Sequence, residues 1–333
     1  MSTSVVNTGY QNTVAHSMQT AANCIIPEDS SKLSIIDVEK FNLDFALKSL
    51  KQDNVVLVEN VKPADADRII LSIAEELGLK ESLELQAAFA SINGFRENVG
   101  QYFMSVNKRS DYEFIPPHSE GNSTTNMQIA SLYSYENSTD GGESVLMNID
   151  QDGSAWQCLR EVAPRIKIGT RPLTQNEIAR AKLLFKVDAN VDILCDEDEI
   201  LRKIDTKNLG FELYEVLTKP KLKYSQILRK DVRVYWDSVA SCDHDSAQEY
   251  LQFLKNSGLL KEPETELPLE KMDNATGRRV WSSGVMFNGL FKSKITRKLV
   301  SGDLIIQNNL TWTHSTANWT PGSGGRQVVA AFA

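Results

Sequence analysis

Histidine and cysteine are scarce in this chain, with four of each in 333 residues. Cys24, Cys158, Cys195 and Cys242 lie far apart and form no CxxC pair, which argues against a disulfide framework or a zinc ribbon. Buried free thiols are expected instead. No run approaches the roughly 20 consecutive apolar residues that span a bilayer. The stretch Met1 to Gln19 lacks the basic-then-apolar order of a signal peptide, so a cytoplasmic protein with no membrane partner is expected. Positive charge is in deficit: 36 Lys and Arg stand against 44 Asp and Glu, a net charge of −8. Proteins that bind nucleic acid usually present a basic face, so no nucleic-acid partner is expected. The one basic cluster, Lys292, Lys294, Arg297 and Lys298, reads as solvated surface.

Hydrophobic residues make up 41% and charged residues 24%, enough for a sizeable core. Residues 1–32 carry few periodic apolar positions and read as an irregular arm. Phe41 to Leu50 has helical spacing. Asn54-Val-Val-Leu-Val-Glu-Asn60 reads as a buried strand. Pro63 to Gly78 has a Pro and acids at its start and Gly at its end, the marks of a helix. Strand-like runs follow at Met127 to Tyr135 and Ser144 to Asp150, with the turn Asn137-Ser-Thr-Asp-Gly-Gly142 between them. Gln175 to Phe185 and Ser246 to Ser257 read as helices, and Cys195-Asp-Glu-Asp-Glu199 as a helix start or solvated loop. Strands return at Asp303 to Asn308 and Arg326 to Ala333. No internal repeat or low-complexity linker divides the chain. One domain over 33–333, with a helical, lid-like insertion around 150–290, is the simplest account.

The histidines are His16, His118, His244 and His314. In extended backbone, residues two apart point to the same side. His118-Ser-Glu120, after Pro116-Pro117, can therefore turn an imidazole and a carboxylate toward one ion. Two His and one carboxylate on one face of a metal leave open positions, the ligand set of non-haem Fe(II) oxygenases. Alone, HxE is equally a surface pair. Further on, Gly302-Asp-Leu-Ile-Ile-Gln-Asn-Asn309 is a turn and an apolar strand, and His314 follows in Thr311-Trp-Thr-His-Ser315. Arg326 comes twelve residues after His314. Its planar fork suits a carboxylate, and equally a salt bridge closing the last strand.

Together these segments resemble the clavaminate synthase and taurine dioxygenase-like family of Fe(II)/2-oxoglutarate-dependent dioxygenases. The matching pieces are His118-Ser-Glu120, Gly141-Gly142-Glu143-Ser144, Gly302-Asp303 through Asn309, His314 and Gly325-Arg326. Their order fits the family over roughly residues 40–333, most clearly at these motifs. The resemblance implies a mainly β chain with outer helices around a double-stranded β-helix, the cupin-like jelly roll. It implies His118, Glu120 and His314 as catalytic iron ligands, and Arg326 with Ser144 holding the distal carboxylate of 2-oxoglutarate. Ser144 stands where the family usually has Thr. It implies Fe(II), 2-oxoglutarate and O2 as cofactor and co-substrates, with oxidation of an unactivated C–H bond: hydroxylation, desaturation or cyclisation. Glu120 fills the position that halogenating relatives leave to a small residue. No second Arg follows Arg326, unlike in sulfonate-binding relatives.

For the substrate, Arg96, Tyr102 and Asn107 precede the first ligand, and Arg278, Arg279, Trp281 and Asn288 lie where a lid is expected. Each is equally packing or surface. A small, amino-acid-like substrate, as for a biosynthetic enzyme, is the first expectation. Two other readings stay open: a non-catalytic jelly-roll binding protein with a vestigial metal site, and a hydrolase using a divalent metal and water.

Overall fold

The computed structural model describes residues 25–93, 96–106, 115–121, 127–185, 187–206, 210–235, 244–261, 280–281 and 287–333. Its strands, in chain order, begin with β1 (Leu33–Asp37), β2 (Val55–Glu59), β3 (Met104–Ser105), β4 (Ile115–His118), β5 (Ile129–Glu136) and β6 (Ser144–Ile149). The middle holds β7 (Arg160–Ile168), β8 (Glu199–Ile204), β9 (Phe211–Thr218), β10 (Lys223–Ser225), β11 (Lys230–Val232) and β12 (Val280–Trp281). The chain ends in β13 (Phe291–Arg297), β14 (Leu304–Asn308), β15 (Trp312–Thr316) and β16 (Gln327–Phe332).

Two sheets carry the architecture, a six-stranded one in the order β1-β2-β14-β5-β16-β3 and a four-stranded one in the order β13-β6-β15-β4. They pack face to face, because side chains alternate between the two faces of a strand. Val55, Leu57 and Ile305 of the larger sheet meet Leu146, Ile295 and Trp312 of the smaller in one buried cluster. Their neighbours Val56, Val58, Leu304 and Ile306 turn the other way, beneath the helices Leu43–Lys51, Pro63–Glu76 and Lys80–Asn93. The far face of the smaller sheet buries Val145, Met147 and Ile149 against Tyr250, Phe253 and Leu254 of the His244–Asn256 helix. The chain is thus mostly β with helices outside, as its sequence leads one to expect.

The front helices form where their signals stand. Asn42 caps the first, its Oδ1 accepting from Phe45 N–H at 3.0 Å. Pro63 opens the second, and Gly78 follows it at φ +69°. Count β3, β4, β5, β6, β13, β14, β15 and β16 as one to eight. The sheets then run 1-8-3-6 and 2-7-4-5, and only four and five are neighbours both in sequence and within one sheet.

Four expectations are corrected. The segment expected to be helical includes a four-stranded antiparallel sheet, β12-β7-β9-β8, beside the two helices Gln175–Phe185 and His244–Asn256. One face of β7 buries Glu161, Ala163 and Arg165, and the other buries Ile166 beside Phe211 and Leu213, so the strand carries no single apolar alternation to read. Arg165 is buried there against Asp192 at 3.5 Å and Asp198 at 3.7 Å. The arm is not irregular throughout: Ile26 is buried, and the chain at 27–29 bonds along Lys294, with Lys294 N–H on Pro27 C=O and Asp29 N–H on Lys294 C=O, each at 2.8 Å. That pairing also corrects the basic cluster, since Lys294 contacts Glu28 at 3.3 Å, Arg297 contacts Glu59 at 2.9 Å, and Lys298 bonds Gly141 C=O. Of the cysteines, Cys158 and Cys195 are free but exposed, and Cys24 and Cys242 lie outside the described residues. Among the described residues no helix is long and apolar enough to cross a membrane.

Candidate metal centre

In the smaller sheet β4 lies beside β15, and the register places His118 directly opposite His314. His314 shares its strand face with Trp312, which packs between the sheets, so both imidazoles are turned inward. Their ring centroids are 4.4 Å apart. Glu120 follows two residues past His118, and its Oε1 lies 3.6 Å from His118 Nε2 and 3.7 Å from His314 Nε2. One ligand atom from each residue falls within 4.8 Å of the others. Both His residues are buried, at 9% and 8% exposure. Three donors this close, drawn from segments nearly 200 residues apart, fit a single divalent cation.

The orientation suits a metal as well. His118 Nδ1 lies 3.0 Å from Pro116 C=O. With the proton on Nδ1, it donates to that carbonyl and leaves the Nε2 lone pair facing the centre. Gln307 Nε2 donates to Trp312 C=O at 3.0 Å and lies 3.5 Å from His314 Nδ1, while Gln307 Oε1 is buried with no partner. Gln307 shares the inner face of β14 with Ile305, and that alternation could have marked it in the sequence.

Burial raises the Glu120 pKa, but hydrogen bonds from His118 and His314 and the charge of Arg96 outweigh it, leaving the carboxyl well below its usual range. Burial and the neighbouring His118 push His314 down to about 4 against the opposing pull of Glu120. The unfolded chain therefore takes up a proton at His314 near pH 6.5, and the folded chain does so only near 4. Stability is unaffected above that window and falls as pH drops through it. We predict that metal-free protein loses on the order of 2 to 3 kcal/mol between the ends of this window. Urea midpoints across the range check it. The same loss in a His314→Gln variant would show that His314 is not the group responsible.

Arg96 reaches the centre from the segment before β3. Its Nη2 lies 3.7 Å from Glu120 Oε1, its Nη1 lies 3.6 Å from Met104 Sδ, and its guanidinium lies 5.5 Å from the Phe332 ring centroid. Arg326, just before β16, crosses to the other sheet, where its Nη2 donates to Ser144 Oγ at 3.3 Å. Its Nε is sealed from solvent without an acceptor, and burial alone pulls its pKa down to about 10. Among the described residues no carboxylate pairs with it. Gly141 and Gly142, at φ +89° and +72°, set up the start of β6. A Cβ on Gly141 would sit 2.5 Å from Asn318 C=O, so only glycine fits there. Ser144 stands two residues along β6 from Leu146, which faces His314, a separation of about 7 Å. Ser134 Oγ, paired in register with Val328, is another buried hydroxyl with no partner at that end of the inner layer. Sequence reading missed it because serine in a strand carries no distinct signal.

Of the remaining candidates, Tyr102 is not brought to the triad. Tyr102 packs with Phe103 on the helix-covered face of the larger sheet; its hydroxyl accepts from Gln101 Nε2 and its N–H donates to Asp67 Oδ1. Asn107, Arg278 and Arg279 lie outside the described residues. Trp281 pairs through its backbone with Arg160 in the accessory sheet. Asn288 lies in a single 3-10 turn, Phe287–Leu290. Two cavities of about 240 Å³, one beside Gly169 and Gly210 and one beside Asp67 and Tyr135, do not touch the triad.

No protein-family model matches the chain, and no curated protein matches it. Among solved structures it is similar to AAD-2 in complex with Mn(II) and N-oxalylglycine, at 9% identity over 92% of this chain and 96% of that one, with a TM-score of 0.38. It is similar to PvcB, an Fe, alpha-ketoglutarate dependent oxygenase from an isonitrile synthetic pathway, at 9% identity over 89% and 81%, with a TM-score of 0.40. A structure of PvcB from Pseudomonas aeruginosa gives 9% identity over 92% and 89%, with a TM-score of 0.41.

Proposed function

We propose that this chain is a non-haem Fe(II)- and 2-oxoglutarate-dependent oxygenase acting on a small molecule. The observation that carries the reading is the pairing of the His118–Glu120–His314 triad, its two imidazoles buried, with a part-buried Arg326 that meets no carboxylate among the described residues, at the other end of the same strand layer. The sheet orders 1-8-3-6 and 2-7-4-5 favour a double-stranded β-helix as the frame. His118, Glu120 and His314 would hold the metal on one face. Arg326, with Ser144 and the nearby Ser134 hydroxyl, would take a carboxylate roughly 7 Å along the strand, a distance suited to a five-carbon dicarboxylate. Bound there, Fe(II) with 2-oxoglutarate and O2 supplies oxidation of an unactivated C–H bond, the co-substrate leaving as succinate and carbon dioxide.

The protein's own part is to bind, orient and exclude water. His118 is aimed by Pro116 C=O, and Glu120 stays ionised. Arg96, which reaches Glu120, rests on Met104 and Phe332 of an apolar cluster that also holds Ala130, Leu132, Val328 and Ala330. Arg96 is the one cation beside the triad among the described residues. A dication on Glu120 would leave Arg96 facing like charge, so an acidic group on the substrate is favoured. An amino-acid-like molecule meets that need. Hydroxylation is the default outcome, with desaturation or ring closure sharing the same first hydrogen abstraction.

A hydrolase on the same triad has no use for a part-buried Arg326 that meets no carboxylate among the described residues. A binding protein with a vestigial site would share the fold and show no turnover. The test is anaerobic addition of Fe(II) and then 2-oxoglutarate, followed in the visible region. A weak charge-transfer band is expected; iron bound without that band would overturn the reading. Succinate formation stimulated by members of an amino-acid panel then distinguishes an enzyme from a binding protein.

A further inference from the structure

Glu120 lies beyond the end of β4, so no strand ladder fixes its peptide. A carboxylate ligand on free backbone would be a loose one, because metal sites depend on groups that orient the ligands. One side chain supplies the missing support. Asn309 Oδ1 accepts from Glu120 N–H at 2.9 Å, and Asn309 Nδ2 donates to Glu120 C=O at 3.0 Å. The same Nδ2 donates its second hydrogen to Met127 C=O at 2.9 Å. Asn309 is fully buried, and its own N–H donates to Gln128 C=O at 2.9 Å. The amide orientation is set by its surroundings: reversed, it would put hydrogens against Glu120 N–H and an oxygen against two carbonyls.

We propose that Asn309 is a positioning residue for the metal centre, setting the Glu120 ligand by clamping both polar groups of its peptide. The inference rests on reading the triad as a metal site. Asn309 follows β14 and stands five residues before His314 in the turn that leads into β15. One buried amide therefore ties the Glu120 peptide to the segment that delivers His314. Its second hydrogen pins Met127, so residues 120 and 127, the two ends of one connection, converge on a single donor group. Aspartate would keep the acceptor for Glu120 N–H but set an oxygen against both carbonyls. Alanine removes all three bonds.

The test measures Mn(II) affinity by electron paramagnetic resonance, without turnover. Asn309→Ala and Asn309→Ser are expected to bind Mn(II) about 10- to 100-fold more weakly than the parent chain. An Ile70→Val variant, altered in the core beneath the helices, is expected to lose stability and keep its Mn(II) affinity. Parent-like Mn(II) affinity in a folded Asn309 variant overturns the proposal. If the parent chain itself binds no Mn(II), the metal reading fails rather than the clamp. A second measurement needs no variant: hydrogen exchange at the Glu120 amide of the metal-free parent is expected to be slow, because Asn309 Oδ1 already holds it. Exchange there at the rate of an open peptide overturns the proposal even if the variants do not fold.

Discussion

Arg326→Leu is expected to weaken 2-oxoglutarate binding by two to three orders of magnitude while leaving the ligand-free protein no less stable, and by preference more so. Both halves follow from one fact: this guanidinium is part-buried, with its Nε sealed from solvent and no counter-ion among the described residues. Its pKa is drawn down to about 10 by desolvation alone, and among the described residues its Nε has no acceptor and its one polar side-chain contact is the 3.3 Å bond to Ser144 Oγ. A cation removed from water without a partner costs several kcal/mol. Replacing it with an apolar side chain of similar reach removes that cost in the empty protein. When a dicarboxylate is present the balance reverses. Truncating one partner of a buried, hydrogen-bonded charge pair costs about 2–5 kcal/mol, and each 1.4 kcal/mol is tenfold in affinity. Titration of 2-oxoglutarate into metal-loaded protein, with urea midpoints of the unliganded chain, reads both. An Arg326 whose role is to brace β16 gives the opposite result: Arg326→Leu falls in stability and keeps its 2-oxoglutarate affinity.

That two-sided behaviour also explains which parts of the molecule its sequence discloses. The triad is legible because chemistry restricts it. Few residue types ligate iron, and His118 and Glu120 fall at a strand's period. The opposing register of β4 and β15, which brings His314 in, cannot be read from either segment alone, since pairing depends on partners far along the chain. Two of the three front helices are legible, Leu43–Lys51 from its apolar spacing and Pro63–Glu76 because Pro63 and Gly78 punctuate it locally, whereas Lys80–Asn93 is not legible. The accessory sheet is not either, because one face of β7 buries Glu161, Ala163 and the ion-paired Arg165 while the other buries Ile166, which leaves no single apolar alternation along the strand. Tyr102 stands near His118 in sequence, yet its backbone bond to Asp67 and its packing hold it on the helix-covered face. Asn309 reads in the sequence only as the polar end of an apolar strand. Its three hydrogen bonds cross about 190 positions and appear only once the chain is folded.

Removing the distal histidine should act on the other half of the site. His314→Ala is expected to lower metal affinity by at least about a hundredfold, beyond the range typical of groups that merely orient a ligand, and to reduce succinate formation to background. The ring it removes lies 4.4 Å from His118 and 3.7 Å from Glu120, so two donors remain where three converged. The loss is not one of folding. His314 resists protonation in the folded chain, so the alanine variant should hold its stability better than the parent as pH falls toward 4, although the small cavity it leaves lowers both curves slightly. The comparison with Arg326→Leu is then decisive. That variant should still bind Mn(II) as the parent does and fail to respond to 2-oxoglutarate. His314→Ala should lose Mn(II), and with it the 2-oxoglutarate charge-transfer band, while Arg326 and Ser144 remain in place. Parent-like metal affinity in His314→Ala, or undiminished succinate, would remove His314 from the ligand set. Loss of metal binding in both variants would mean that Arg326 serves the metal rather than the co-substrate, and the two ends of the site would have to be joined in a different way.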